Sequence, residues 1–369
     1  MMEITAAVLT APKQKFEIEN IQLDTELRPE EILVKIVATG LCHTDIAIRD
    51  QHLPFGFPGI LGHEGAGIVV KTGSSVTKVK AGNHVVLAPA SCGKCSYCKS
   101  GHPSYCISFF PMNFGGIRND GSCPYHSHDG TGIAGFFFGQ SSFATYSLVS
   151  ENNVVKVPED VQLEILGPLG CGLQTGAGTV LNVLKPSSGE SIVIAGVGPV
   201  GLAAIMAAKA AGCTSIIAVD IFDNRLDLAK ELGATDTINS RELIVSEEIN
   251  NRLSPGGVHY AVDTTGRNAV INQLLGSLRF MGTCAVVGIL PAEKLEVDSQ
   301  FFTMGRTLKY VIEGDSVPDI FIPQLIELHK KGMFPFDKLI RFYELNDINA
   351  AVEDSEKGIT LKAIVRMPQ

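Results

Sequence analysis

Through the first part of the chain, from Ala6 to about Thr77, short apolar runs alternate with Gly and Pro. Examples are Ile32-Leu33-Val34-Lys35-Ile36-Val37 and Gly67-Ile68-Val69-Val70, and the pattern predicts short strands. Residues 83–88 read as one more strand. After Leu173 the texture changes to apolar strands alternating with Ala- and Leu-rich helices. Strands are predicted over 191–195, 216–219, 260–262, 283–287 and 308–312, and helices over 202–211, 224–232 and 268–278, with Gly212 and Gly233 closing the first two helices. Successive strand–helix units predict a parallel, doubly wound sheet. Beyond Gly314 the helical 320–331, the segment 336–342 and the final 361–366 are not needed by that sheet and are expected to return to the first domain. The expected division is 1–172 with 314–369, and 173–313. The fold class is therefore α/β, in two domains.

At 369 residues the chain is long enough for two cores, and 45% hydrophobic residues, 19% charged residues and 38 glycines describe a compact, turn-rich protein. The apolar runs are broken by glycine well short of the ~20 residues that cross a bilayer, so no membrane span is expected. The N-terminus lacks a basic region followed by an apolar stretch, so the expected location is cytoplasmic. A net charge of -9 without a basic cluster argues against nucleic-acid binding.

Four of the nine cysteines change the picture. Cys92, Cys95, Cys98 and Cys106 follow C-x2-C-x2-C-x7-C, and four thiolates so close fill a tetrahedral zinc shell, which makes a structural zinc lobe over 92–106. A second set is dispersed: Cys42-His43-Thr44-Asp45, Gly62-His63-Glu64 and Gly170-Cys171-Gly172. Cys42, His63 and Cys171 would leave one zinc position open for water or substrate, and an open position means chemistry. Residues 109–138 are glycine-rich and aromatic without periodicity, and either line a pocket or belong to the core.

The run Gly196-Val197-Gly198-Pro199-Val200-Gly201 follows a predicted strand and opens a helix, and Asp220 ends the next strand 19 residues after Gly201. That is the dinucleotide fingerprint: a tight turn, a close backbone approach to the pyrophosphate, and close packing of helix on strand. Asp220 predicts NAD, because a carboxylate there accepts the ribose hydroxyls and repels a 2'-phosphate. Arg225 is the complication, although five residues on it is expected on the following helix.

In this order and over the whole chain, these stretches resemble the zinc-containing medium-chain alcohol dehydrogenases. Within them the likeness is to aryl (benzyl) alcohol and geraniol dehydrogenases, through Cys42-His-Thr-Asp-Ile-Ala-Ile-Arg-Asp50, Phe138-Gly-Gln-Ser-Ser-Phe143 and Leu166-Gly-Pro-Leu-Gly-Cys171-Gly-Leu-Gln-Thr175-Gly. The resemblance implies a GroES-like β-rich catalytic domain beside a Rossmann domain, two zinc ions per chain and NAD. The two-Cys, one-His ligand set of Cys42, His63 and Cys171 is carried over from alcohol dehydrogenases rather than derived from spacing. It also implies roles for single residues. Thr44 takes the substrate proton, His43 contacts the cofactor phosphates, Thr175 touches the nicotinamide, and Lys362 helps neutralise the pyrophosphate. Glu64 becomes an acid near the metal, and Asp45 is either a partner that orients His63 or a plain turn aspartate. Phe137, Phe138, Ile289 and Phe114 would line the substrate pocket, with Phe109 and Phe110 nearby. One departure stands out: the liver-type pattern has a histidine five positions after the first zinc cysteine, and here that place is Ala47.

The implied reaction is hydride transfer between an aromatic or allylic primary alcohol and its aldehyde. The implied partners are that small molecule and further copies of the chain, a tetramer ahead of a dimer. The rivals are an aliphatic or polyol dehydrogenase and a scaffold-only nucleotide-binding protein.

Overall fold

The structure, a computed structural model, describes residues 1–118, 120–289 and 294–368. It divides into two compact units: Met1–Cys171 with Val317–Pro323 and Asp337–Gln369, and Gly172–Ser316 with Gln324–Phe336. Gly172, residues 314–316 and residues 324–336 thus differ from the sequence expectation and fall in the second unit, the last being the substantial difference. Burial explains why. Leu325, Ile326, Phe334 and Phe336 are all fully buried, so this stretch is core and not a surface return path.

Among the described residues the first unit holds two mainly antiparallel sheets. In the larger, the strand Glu31–Gly40 lies between Glu64–Thr72 and Lys362–Arg366, and it also pairs with Tyr146–Ser150. Its burial is nearly continuous rather than alternating, because both of its faces are covered. Gly40 stands opposite Glu64 on one side and Ile364 on the other, which brings the last strand of the chain beside the first metal-type stretch.

The second unit is a six-stranded parallel sheet in the order Asp236–Asn239, Ser215–Asp220, Ser191–Ala195, Val258–Asp263, Leu278–Val286, Thr307–Tyr310. Numbered along the chain this is 3-2-1-4-5-6, the doubly wound dinucleotide-binding arrangement. All five residues of Ser191–Ala195 are buried, as a central strand with helices on both faces requires. The helix Pro199–Ala210 starts on Pro199, whose missing N–H would have no partner in the first turn anyway. Gly201 through Ala208 are buried in an unbroken row, so this helix is packed all round.

The segment 109–138, which shows no periodicity in sequence, has secondary structure of its own. It contains the helix Phe109–Phe114 and the two-residue strands Tyr125–His126 and Gly132–Ile133, elements too short to display a period. No helix among the described residues is long and apolar enough to cross a membrane.

Candidate functional site

Cys42 caps the short helix His43–Arg49, and Asp45 in its first turn is fully buried. The Asp45 carboxylate binds its surroundings together. Oδ2 accepts the Cys42 N–H at 2.9 Å, while Oδ1 accepts the Gly62 N–H at 3.0 Å and lies 3.0 Å from His63 Nδ1. Asp45 is therefore not a plain turn aspartate: it fixes Nδ1–H as the donor and turns Nε2 the other way.

His63 Nε2 is buried and has no hydrogen-bond partner among the described residues. A buried nitrogen left unpaired is expensive, unless a ligand takes its lone pair. The candidate ligand atoms of Cys42, His63, Glu64 and Cys171 lie within 4.8 Å of one another. Their electrostatics agree. A hydrogen bond from Cys171, opposed by burial and aided by His63, holds the Cys42 thiol well below the usual thiol range. Burial alone would lower the His63 pKa, but the Asp45 carboxylate and Cys42 override it and raise it well above its ordinary value. The surroundings of that ring favour positive charge, so the donor set fits a zinc ion with three protein ligands.

Glu64 takes a different position. Its carboxylate lies 2.9 and 3.0 Å from Lys362 Nζ, which also donates to the Leu41 carbonyl at 3.2 Å. Lys362, for which the resemblance implies a contact to the pyrophosphate, is 3% exposed. Its side chain is taken up by Glu64 and a carbonyl. Gly40 makes the pairing possible, because a Cβ there would strike Glu64 Oε2 at 2.0 Å. Burial pushes the Glu64 carboxyl up to about 7 against the pull of Lys362. Thr44 Oγ1 lies 3.7 Å from Cys42 Sγ, beside the ligand set; His43 is exposed and Ala47 is buried.

In the cysteine lobe the four sulfurs also lie within 4.8 Å of one another. Cys92 to Cys98 is 4.0 Å and Cys95 to Cys98 is 3.5 Å. Tetrahedral Zn–S bonds of ~2.3 Å put sulfurs about 3.8 Å apart, so the fit is close. Backbone N–H groups point at the sulfurs: Cys95 to Cys92, and both Cys92 and Ser108 to Cys106, at 3.3, 3.3 and 3.4 Å. The N–H groups of Cys98 and Ile107 hold the Cys95 thiol down at about 6. All four positions being sulfur, no place remains for substrate.

The aromatic residues form a continuous series. Phe110, 72% exposed, tilts against Phe114 at 6.0 Å; Phe114 meets Phe138 at 5.2 Å; and Phe138 stacks on the His63 imidazole at 4.5 Å. Phe137 is fully buried among Phe55, Phe114 and His63, so it belongs to the core and does not line a pocket, which corrects the expectation for it. Ile289 is half exposed on the second unit.

In that second unit the three glycines do three different things. Gly196 has φ +83° and a Cβ there would meet Thr264 Oγ1 at 2.3 Å; at Gly201 it would meet the Gly196 carbonyl at 1.9 Å. At Gly198 nothing lies within 4 Å, which leaves the open approach a pyrophosphate needs at the start of a helix. The residues fit a dinucleotide. Asp220 Oδ2 accepts the Val197 N–H at 2.8 Å, and Oδ1 accepts those of Ile221 and Phe222 at 2.7 and 3.1 Å. Arg225 lies on the helix Asp223–Leu232 with its guanidinium 4.9 Å from the Phe222 ring. Arg241, which the sequence did not single out, lies 5.2 Å from the same ring. Thr175 Oγ1 donates to Glu313 Oε2 at 3.3 Å, and Glu313 is the second residue that sequence reasoning missed.

Comparison with known proteins finds two domain types in the chain. Residues 28–159 match the alcohol dehydrogenase GroES-like domain and 199–329 the zinc-binding dehydrogenase domain. A geraniol dehydrogenase of Castellaniella defragrans is 39% identical, over 98% of this chain and 96% of its own. Among solved structures, an alcohol dehydrogenase zinc-binding domain protein from Burkholderia ambifaria is 49% identical with a TM-score of 0.97, and the match covers 100% of both chains. The benzyl alcohol dehydrogenase of Acinetobacter calcoaceticus is 44% identical with a TM-score of 0.95, again over 100% of both. Similarity that extends through both domains, on a chain that keeps both zinc-type donor sets and the nucleotide glycines, has one consequence: this chain belongs to the zinc-containing medium-chain alcohol dehydrogenases.

Proposed function

We propose that the chain oxidises, and in reverse forms, a primary alcohol next to an aromatic ring or a double bond, with NAD as the hydride acceptor. In this reading the first unit is the catalytic domain and the second the cofactor domain. Cys42, His63 and Cys171 hold the catalytic zinc, and Cys92, Cys95, Cys98 and Cys106 the structural one. Bound zinc supplies Lewis acidity toward a hydroxyl, and bound nicotinamide supplies a place for hydride. The chain's own residues do the rest. Thr44 accepts the substrate hydroxyl proton through its Oγ1, Asp45 holds His63 in the ligating tautomer, and Glu64, paired with Lys362, is the acid beside the ligand set. His43, Thr175, the three glycines and Asp220 position the cofactor.

The observation that carries the substrate class is the aromatic series from exposed Phe110 through Phe114 and Phe138 to the metal ligand His63. A flat ring gains ~25 cal/mol for each Å2 of apolar area it buries on such a surface, and a two-carbon alcohol has little area to bury. The benzyl alcohol and geraniol dehydrogenases among the relatives support the same class. Cysteines used as zinc ligands rather than in disulfides support a reducing, cytoplasmic setting. The edge strand Thr307–Tyr310, with Phe280, Met281 and Tyr310 exposed nearby, supports a homo-oligomer.

The test is an alcohol panel followed by NADH absorbance. Benzyl alcohol or geraniol should exceed ethanol by roughly a hundredfold or more in kcat/KM, as two methylene-sized contacts at about 1–3 kcal/mol each require. Comparable efficiency on ethanol or sorbitol would overturn the substrate class.

A further inference from the structure

Between Phe136 and Phe143 the backbone is strained in a way that nothing in the catalytic scheme explains. Phe136, Phe138 and Ser141 have φ of +56°, +50° and +53°, and Gly139 between them has +69°. Left-handed backbone at three side-chain-bearing residues in six persists only where the surroundings over-determine it. Those surroundings are the stretch that carries His63. Ser141 Oγ donates to the Ile60 carbonyl at 2.6 Å, Phe143 N–H to Leu61 at 3.0 Å, and Ser142 N–H to Gly62 at 2.9 Å. Gln140 Nε2 donates to the His63 carbonyl at 2.9 Å, and Gln140 Oε1 accepts the Gly65 N–H at 3.0 Å. The approach is as close as it can be: a Cβ on Gly62 would meet Phe143 N at 2.5 Å, and one on Gly65 would meet Ser142 Cβ at 2.8 Å. The same segment presents two rings to the imidazole, Phe138 stacked at 4.5 Å and 24°, and Phe137 edge-on at 5.2 Å and 88°.

We infer that residues 136–143 are a clamp that fixes His63 for the metal, with Phe138 and Gln140 as its positioning residues. The hydrogen bond from Nδ1 to Asp45 sets the tautomer but leaves the ring free to tip about that bond. Phe138 on its face and Phe137 at its edge prevent the tipping, so that Nε2 keeps one direction. When Nε2 gives its lone pair to a cation the ring gains positive character, and the Phe138 face attracts it. Gln140 acts on the backbone: by holding the carbonyl of His63 and the N–H of Gly65 it fixes Glu64 between them. Neither residue offers the metal a ligand atom.

The inference rests on reading Cys42, His63 and Cys171 as a zinc site, and the test therefore reads metal binding directly. Zinc transfer to a chromogenic chelator is followed for the full-length protein and for F138L, F138W, Q140E and C171S, with absorption spectra of the cobalt-substituted forms. Partners that orient a metal ligand typically change affinity 10–100-fold. F138L should release the catalytic-site zinc roughly tenfold or more faster and shift the cobalt spectrum, with the zinc of the cysteine lobe unaffected. F138W, which restores a face, should return both within about threefold. Q140E keeps an acceptor for Gly65 but loses the donor to His63, and should also loosen the metal, which tests the clamp even if F138L fails to fold. Unchanged release and an unchanged cobalt spectrum in Q140E, or in folded F138L, would overturn the clamp. A C171S variant that holds as much zinc as the parent would overturn the metal site itself, and the clamp with it.

Discussion

Lys362 Nζ and Glu64 Oε2 stand 2.9 Å apart with side chains 3% and 0% exposed, joined across a glycine by residues 298 positions apart in sequence. Removing one member of such a pair leaves an uncompensated buried charge, which typically destabilises by about 3–5 kcal/mol. K362M should therefore lower chemical-denaturation stability by that order, and pairing it with E64Q should recover part of the loss. Cofactor affinity reads the other consequence of the pair. Because Lys362 is already taken up by Glu64, folded K362M should bind ADP-ribose within about threefold of the parent, under ~1 kcal/mol. A tenfold loss by calorimetry would return Lys362 to the pyrophosphate.

The two donor sets share no residue, so elemental analysis should find two zinc ions per chain, and their removal should have different consequences. C171S should lose one zinc and nearly all activity while keeping the melting temperature of a folded enzyme. C95S should instead lower the melting temperature, because closed four-sulfur sites contribute folding energy. A parent with one zinc, or a C95S variant as stable as the parent, would show that the division between the two sites is wrong.

What the sequence made legible was local. The glycines at 196, 198 and 201 and the cysteines at 92, 95, 98 and 106 act over a few residues, so their spacing already contains most of their geometry. What it hid was tertiary. Nothing local to Lys362 shows that its strand pairs with the one ending at Gly40 and so brings its amine to Glu64, and nothing local to Arg241 shows that the turn after Asp236–Asn239 folds it over Phe222. Phe137 matches a pocket position by motif, yet packing closes it into the core. The helix Phe109–Phe114 has too few turns for any periodic signal.

Cofactor choice follows from Asp220 and the cations beside it. The carboxylate already accepts three backbone N–H groups, which holds it in place at the end of its strand. It should accept ribose hydroxyls and repel a 2'-phosphate, so NAD should be strongly preferred. D220S should move the preference towards NADP, and Arg225 with Arg241, both within reach of Phe222, should make the move larger than loss of repulsion alone. Adding R241A to D220S should then take part of that gain back. Equal kcat/KM for NAD and NADP in the parent would sink the assignment.

Proton release should pass through Thr44. Its Oγ1 lies 3.7 Å from the Cys42 sulfur, so a substrate hydroxyl presented to the open metal position comes within its reach, and a hydroxyl both accepts and donates a proton. Thr44→Ala removes that group and should abolish most turnover, at the ~10²–10⁴-fold level typical of a lost acid–base contact, whereas Thr44→Ser keeps the oxygen and should keep the rate within about tenfold. The next step lacks the histidine of the liver-type pattern, whose place is Ala47. Ala47 is 4% exposed and lies on the buried side of the helix His43–Arg49, so a histidine there meets packed side chains rather than water. Ala47→His should accordingly overpack the site and lower stability by about 1–3 kcal/mol. It should leave the pH profile of hydride transfer without a new titration, because a relay must reach solvent. The measurements are single-turnover NADH formation against pH for Thr44→Ala, Thr44→Ser and Ala47→His, with denaturation curves for the last. A fully active Thr44→Ala enzyme would eliminate the hydroxyl route, and an Ala47→His enzyme of undiminished stability with a new titration near pH 7 would show that position 47 opens to the proton path after all.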